Sequence, residues 1–257
     1  MPARRHWISK VALARILFVI LVFVVLELLC RTGVIGRVTM IPPSEMVSAL
    51  VDILRSGRFN SDIAFTCLNT ITATALAIVA GFTLGSALHA LPRLRRAIDP
   101  LLSAYYAVPT FVFYPLLIVV FGAGRTALIV IGAMFGIVAM IINTVLGLDH
   151  VPQAVGRTGH ILKLDGLRQL FLIRLPAAAP HLVSGIKLAV AYSVIGVVAG
   201  EFILATRGIG KRVAFAYDNF DNRTMYGLLL LLLVAVALVN GCLSAWEKQL
   251  HRRFGQR

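Results

Sequence analysis

The run from Ile63 to Leu88 contains no charged residue, and a stretch of that length is long enough to cross the hydrocarbon core of a bilayer, which takes about 20 apolar residues in a helix. Five more stretches of similar character follow the same rule. They are 11–30, with Arg15 and Glu27 near its ends, then 101–121, 126–148, 182–204 with Lys187 and Glu201, and 225–246 with the leucine run Leu228 to Leu233. Strands of a membrane barrel would be about ten residues long with alternating polarity, and that pattern is absent from the sequence. The sequence therefore predicts an all-α polytopic membrane helical bundle of about six transmembrane helices in a single domain, 1–257. Of the 257 residues 59% are hydrophobic and 14% charged, against about 25% charged in an average soluble domain.

Basic residues set the expected orientation, because short cytoplasmic loops carry more Lys and Arg. With the N-terminus inside, the inner side holds Arg4, Arg5, Lys10 and Arg15, the cluster Arg93, Arg95 and Arg96, then Arg157, Lys163, Arg168 and Arg174, and finally Lys248, Arg252, Arg253 and Arg257. The outer side holds fewer, including Arg31, Arg37, Arg55, Arg58, Arg125, Arg207, Lys211, Arg212 and Arg223. Both termini are placed in the cytoplasm. The net charge of +14 is dispersed among short loops without an aromatic-rich basic surface, so anionic lipid headgroups rather than nucleic acid are the expected counter-charge. The first stretch is too long for a signal peptide and lacks a small-x-small cleavage site, so it reads as a retained helix. Cys30, Cys67 and Cys242 have no CxxC spacing and read as packing residues.

Two connecting segments have their own pattern. Ile41-Pro42-Pro43-Ser44-Glu45, followed by Met46, Val47, Leu50, Ile53 and Leu54, predicts a Ser-capped amphipathic helix ending near Ser56-Gly57 in the interface plane. The segment 149–181 mixes apolar residues (Val155, Ile161, Leu162, Leu164, Leu167, Leu170, Phe171) with basic ones. It predicts one or two short helices at the membrane surface, either an ordinary interfacial loop or a docking element.

Catalytic signatures are missing. Gly208-Ile209-Gly210-Lys211-Arg212 lacks the Gly five residues before GK and the following Ser or Thr of a phosphate loop, having Ala205 and Arg212 there,. The histidines His6, His89, His150, His160, His181 and His251 form no HExxH and flank no Cys pair, so no metal is expected. GxSxG is absent too. What remains is polar chemistry inside spans, which is costly there and faces a bundle interior or a water-filled route. Lys187 can extend to the headgroups. Glu201 reads either as an interhelical contact or as a lining or gating group, and Glu27 as interfacial. Asn69, Thr70, Thr72, Thr74, Asn143 and Thr144 suit helix-to-helix hydrogen bonds. Pro109 and Pro115 interrupt the third stretch amid Tyr105, Tyr106, Thr110, Phe113 and Tyr114, as a kink in a packed helix or as a break lining a cavity.

Taken in order, these features resemble permease subunits of bacterial ABC importers, in the nitrate/sulfonate/taurine-type branch of the binding-protein-dependent transport inner-membrane family. The resemblance is carried by Val108-Pro109-Thr110 with Tyr114-Pro115-Leu116-Leu117-Ile118 and Phe121-Gly122-Ala123-Gly124, by Ile142-Asn143-Thr144 with Gly147, by Leu175-Pro176-Ala177-Ala178-Ala179-Pro180, and by Ile195 to Phe202 with its acidic residue. Ile41 to Glu45 and Gly208-Ile209-Gly210 extend it to about residues 40 to 250. One departure stands out. Counting back from Pro176 to the family's EAA-x3-G motif puts Lys163 at the Gly and Arg157-Thr158-Gly159 at EAA, and counting forward from Pro152 puts Gly156 at the Glu. Neither register restores the acidic residue.

The resemblance implies a type I ABC importer permease-like fold in the bacterial inner (cytoplasmic) membrane, without an enzymatic activity or cofactor of its own. ATP and Mg would lie on partner ATP-binding subunits. The other implied partners are a second permease copy or homologue, an extracytoplasmic solute-binding protein and membrane lipids. Arg157, Lys163, Leu164, Asp165, Gly166, Arg168, Leu175 and Pro176 are the implied ATPase-coupling residues. Tyr106, Thr110, Phe113, Asn143, Tyr192, Ser193 and Glu201 are the implied translocation-pathway residues. The solute is expected to be small, and the basic outer loops favour an anion such as a sulfonate or a nitrate-like compound. The readings from other classes are an integral-membrane enzyme, which needs polar groups clustered at one interface, and a non-transporting membrane scaffold.

Overall fold

The computed structural model describes residues 10–105, 107–151 and 165–254, and among them every regular element is a helix. In chain order these are α1 (Lys10–Arg31), α2 (Pro43–Ser56), α3 (Asn60–Ala90), α4 (Pro92–Tyr105), a 3-10 turn (Thr110–Phe113), α5 (Tyr114–Phe121), α6 (Arg125–Asp149), α7 (Gly166–Gln169), a π-helical turn (Leu170–Arg174), α8 (Leu175–Leu204), α9 (Ile209–Asp218) and α10 (Asn222–Phe254). Among the described residues, five stretches are long and apolar enough to cross a membrane: Leu13–Arg31, Asn60–Ala90, Arg125–Asp149, Leu172–Ile203 and Asn222–Gln249. A sixth crossing requires counting the bent pair Pro92–Tyr105 and Thr110–Phe121 as one span.

That bent pair stands where the sequence predicts a single proline-interrupted span over 101–121. Its halves meet at 96°. The reason lies in the prolines. Pro109 has no N–H to donate and holds extended ψ at the start of the 3-10 turn, and Pro115 is tolerated only because it falls in the first turn of α5,. The second difference concerns 149–181. The helical backbone begins at Gly166 and runs through the π turn into α8, so the helix expected to start at 182 begins at Leu175, and Leu175-Pro176 lies within a helical stretch rather than closing a loop. The Leu175 N–H bonds the Leu170 carbonyl, the widened π pattern that often accompanies a functional position in a helix.

The described residues form two compact units. One comprises those of Met1–Phe59 with Val213–Leu232. Within it α2 ends on Gly57, whose φ of 62° is the left-handed conformation that favours glycine,. The expected Ser cap is not made. Ser44 instead turns toward α1, where Glu27 accepts its N–H at 3.0 Å and its hydroxyl at 2.6 Å and also pairs with Arg31 at 2.6 Å. Glu27 thereby satisfies a free N–H of the α2 terminus, where a negative charge is favoured. The buried Ala49 and Ile53 of α2 pack on Gly227 of α10. The first turn of α10 holds the 37–39 segment through Asn222, which donates to the Arg37 and Val38 carbonyls, and Tyr226, which donates to Thr39.

The other unit comprises those of Asn60–Arg212 and Leu233–Arg257. Its centre is the packing of α3, α6 and α8, and the seam is made of small residues four apart. Gly81 and Gly85 of α3 lie so close to α6 that a Cβ would stand 2.6 Å from Met140 Cβ and 2.7 Å from Thr144 Cβ. Gly132 and Gly136 of α6 are pressed in the same way against Val197 and Ser193 of α8 and Ala73 and Ala77 of α3, and a Cβ at Gly196 of α8 would stand 2.8 Å from the Gly132 Cα. Lipid tails are as apolar as leucine, so helices in a bilayer gain by close backbone approach, which small-xxx-small spacing permits. At one end of this unit Asp149 joins three helices, accepting from Arg95 Nη1 at 2.7 Å and pairing with His89 Nδ1 at 2.9 Å. These groups are partly exposed, so Asp149→Ala is expected to cost only about 1 kcal/mol, read as a small fall in the detergent unfolding temperature.

Candidate functional site

Two arrangements in the larger unit bring functional side chains together. The first follows from the break between α4 and α5. Where the helix stops, a cavity of about 290 Å³ opens, lined by Tyr105, Val108, Pro109, Thr110, Phe111, Phe135, Tyr192 and Ile195. Its walls are aromatic, with the Phe111 and Phe135 ring centroids 4.9 Å apart. The Tyr105 hydroxyl donates to the Met134 carbonyl at 2.7 Å and is hydrogen-bonded to the Thr110 side chain. The first bond holds the end of α4 against α6, and the second ties it to the 3-10 turn. An aromatic, mostly apolar concavity with a few hydroxyls is the usual form of a small-molecule site.

The second is a buried polar node where α3, α8 and the turn 205–210 meet. Glu201, in the last turn of α8, has 0% exposure. Its Oε2 accepts from the Thr66 hydroxyl at 2.8 Å and from the Gly210 N–H at 3.1 Å. Thr66 in turn accepts from the Ile209 N–H at 2.8 Å. Asp62, 2% exposed, accepts from the Gly208 N–H at 3.0 Å and from Arg212 Nε at 2.7 Å. Three successive backbone N–H groups are thus satisfied by side chains of α3 and α8, which buried N–H groups require. Gly208, at φ +108°, rests against the Glu201 carboxylate so closely that a Cβ would overlap it. Both the conformation and the contact demand glycine. One turn along α3, the buried Asn69 accepts from Arg125 Nε at 2.8 Å.

The residues singled out from the sequence divide among these places. Thr110 and Tyr192 line the cavity together. Phe113 sits on the exposed side of the 3-10 turn and does not line it. Ser193, fully buried, packs into the glycine seam at Gly136. Asn143 donates to the Ala139 carbonyl of its own helix at 2.8 Å and packs on Gly185. Glu201 lies in the polar node, enclosed by protein. Lys187 does not extend freely; its Nζ is 3.4 Å from Glu247 Oε2, and Glu247 also accepts from the Ser184 hydroxyl. Of the coupling residues, Gly166 and Arg168 are exposed on α7, Asp165 immediately precedes it, Leu175 is half-buried and Pro176 exposed. Tyr106, Arg157, Lys163 and Leu164 lie outside the described residues.

Asp62, Thr66, Arg125 and Arg212 were not singled out as site residues. Asp62 had a visible signal, an acid at the edge of the charge-free run 63–88, and the Gly-x3-Gly pairs were visible too. Their partners lie more than a hundred residues away in several cases, which no local spacing reveals.

Comparison with known proteins agrees with this architecture. Over 75% of this chain and 95% of the other, the fold is similar to the inward-facing MetNI methionine ABC transporter, with a TM-score of 0.66 and 18% identity. In sequence the chain is 29% identical over 170 residues to the nitrate import permease protein NrtB of Leptolyngbya laminosa, covering 66% of this chain and 60% of that protein. It is 29% identical over 161 residues to the riboflavin transport system permease protein RibX of Chloroflexus aurantiacus, covering 60% of each. To the taurine transport system permease protein TauC of Escherichia coli K12 it is 27% identical over 217 residues, covering 81% of this chain and 78% of that protein. The aligned part thus spans about 60% of the length of the NrtB and RibX relatives. Residues 73–256 match the family of binding-protein-dependent transport system inner membrane components, and the chain belongs to that family.

Proposed function

We propose that this chain is the transmembrane permease subunit of an ATP-binding-cassette importer, forming part of the route by which a small solute crosses the inner membrane. The observation that carries the reading is the cavity at the broken helix, where Tyr105, Thr110 and Tyr192 meet. Backbone freed by prolines inside a bilayer is tolerated where it meets protein or lines a cavity, and the family match supplies the context. A second permease copy or homologue completes the route. Cytoplasmic ATP-binding subunits, which hold ATP and Mg, grip the segment 153–176, and an extracytoplasmic solute-binding protein delivers the solute. Both termini face the cytoplasm in this reading, which places the 205–210 turn outside. The whole chain acts as one permease domain, and it carries out no chemistry itself. The relatives are named for nitrate, riboflavin and taurine, so the solute class rests on the basic outer loops, which favour an anion.

The test is reconstitution. Co-expressed with candidate ATP-binding subunits and a candidate solute-binding protein, the chain is expected to copurify with them and to support ATP-dependent uptake into proteoliposomes. Tyr192→Ala, which strips one wall of the cavity, is expected to lower uptake about tenfold or more through lost solute contacts, with the complex still assembled on size exclusion. Wild-type protein that neither binds nor stimulates those ATP-binding subunits sinks the reading.

A further inference from the structure

The polar node has a feature that the proposed solute route does not use. Glu201, Thr66 and Asp62 are each at most 4% exposed, and each accepts a hydrogen bond from the backbone of one turn. Gly208, Ile209 and Gly210 donate their N–H groups to Asp62, Thr66 and Glu201 respectively. The turn is therefore fastened from two helices at once. Thr66 makes the cross-link explicit, donating to Glu201 of α8 while accepting from Ile209. The glycines make the fastening tight, since a Cβ at Gly210 would meet the Val198 carbonyl and the Glu201 Cβ. Thr206 and Arg207 remain exposed at the tip. At its other end α8 continues without a break through the π turn into α7.

We propose that Glu201 is a positioning residue: it ties the 205–210 turn to α8 while Thr66 and Asp62 of α3 brace the same turn and, through Thr66, Glu201 itself, so that the turn keeps a fixed place on the end of α8 and presents the position of that helix to the solute-binding protein at its exposed tip. The inference rests on the importer reading for its consequence, since there the α7 end faces the ATP-binding subunits and the turn faces the solute-binding protein. Coupling between distant sites needs an element with discrete positions that both sites bias, and a helix carrying its own outer turn is such an element. The alternative expected from sequence, Glu201 as a lining group, requires contact with a route. Its carboxylate is enclosed instead by α3 and the turn.

Two readouts test this. Nitroxide labels are placed at Ala177→Cys and Thr206→Cys, both exposed, with Cys67 and Cys242 replaced by Ala. In the assembled complex the distance between them is expected to be narrow and the same without nucleotide and with trapped ATP. Thr66→Val, which removes both bonds of the cross-link at nearly constant shape, is expected to broaden that distribution. It should also lower the solute imported per ATP hydrolysed about tenfold, in proportion to the two lost bonds. Thr66→Ser restores both. A label distance that shifts with nucleotide in the wild type overturns the rigid-clamp inference. So does a Thr66→Val or Glu201→Gln protein that keeps the narrow distance and changes only solute KM, which assigns Glu201 to the route. The distance in the lone chain in lipid reads the clamp independently. A wild type that imports nothing therefore overturns the importer reading and the coupling consequence, while a Thr66-dependent narrow distance still upholds the clamp.

Discussion

Gly136→Leu is expected to leave little monodisperse protein in detergent, while Gly36→Leu behaves as wild type. The first Cβ atom at Gly136 would already stand 2.7 Å from Ser193 Oγ, 2.9 Å from the Ala189 carbonyl and 3.0 Å from Ala77 Cβ. Two of those neighbours are backbone or Cβ atoms, which cannot swing aside, so α6 must part from both α3 and α8. Overpacking a well-filled core costs about 1–3 kcal/mol for each modest insertion, and an isobutyl group driven between three helices costs more. Gly136→Ala should therefore show an intermediate fall in unfolding temperature. Gly36, with nothing within 4 Å, controls for the substitution itself. Fluorescence-detected size exclusion across a temperature ramp measures all three. Equal behaviour of Gly136→Leu and Gly36→Leu would show that the three helices do not approach as described.

The second large effect is expected at the polar node. Thr66→Val leaves the Ile209 N–H without a partner in a site closed to water and leaves Glu201 Oε2 with the Gly210 N–H alone. The orphaned N–H costs about 1–3 kcal/mol and the lost bond to a charged group about 1.5–3 kcal/mol, so about 3–6 kcal/mol is expected in total. Asp62→Ala removes the acceptor of the Gly208 N–H and of Arg212. The Arg212 side chain is 45% exposed and can turn to water, so this loss should be the smaller, about 2 kcal/mol. Combining Thr66→Val with Glu201→Gln should cost less than the sum of the two, because they share one hydrogen bond. Unfolding temperatures in one detergent settle the order. A Thr66→Val protein as stable as wild type contradicts the node.

The helices were legible in the sequence because the bilayer imposes a crude requirement, length without charge. That requirement located the stretches 63–88, 126–148 and 225–246 inside α3, α6 and α10, and the Pro-Pro-Ser start and Ser-Gly end placed α2. Pro109 marked the break in the third stretch, but a single proline does not state how far a chain turns. The 96° bend also depends on the Tyr105 bond to α6 and on Tyr114 packing against Ala127, Leu128 and Ile131. The start of α8 was misplaced for a related reason. Arg168, Arg174 and two prolines looked like the end of a loop, whereas a π turn lets the helix pass through them.

Glu201 shows the division most clearly. An acid inside an apolar stretch must be satisfied somewhere, and that necessity was readable from residue type alone. Where it is satisfied was not. Its partner Thr66 comes from a different helix, and the N–H of Gly210 reaches it only because a left-handed glycine folds the turn back on the helix end. The sequence by itself determined a membrane-embedded helical chain of this family's pattern, because hydrophobic length and proline placement act locally. Only the tertiary structure decided that Thr110 and Tyr192 share a cavity, that Ser193 belongs to a glycine seam, and that Glu201 holds a turn. Those outcomes depend on which helix faces touch, and contact between faces distant in sequence leaves no periodic trace along the chain.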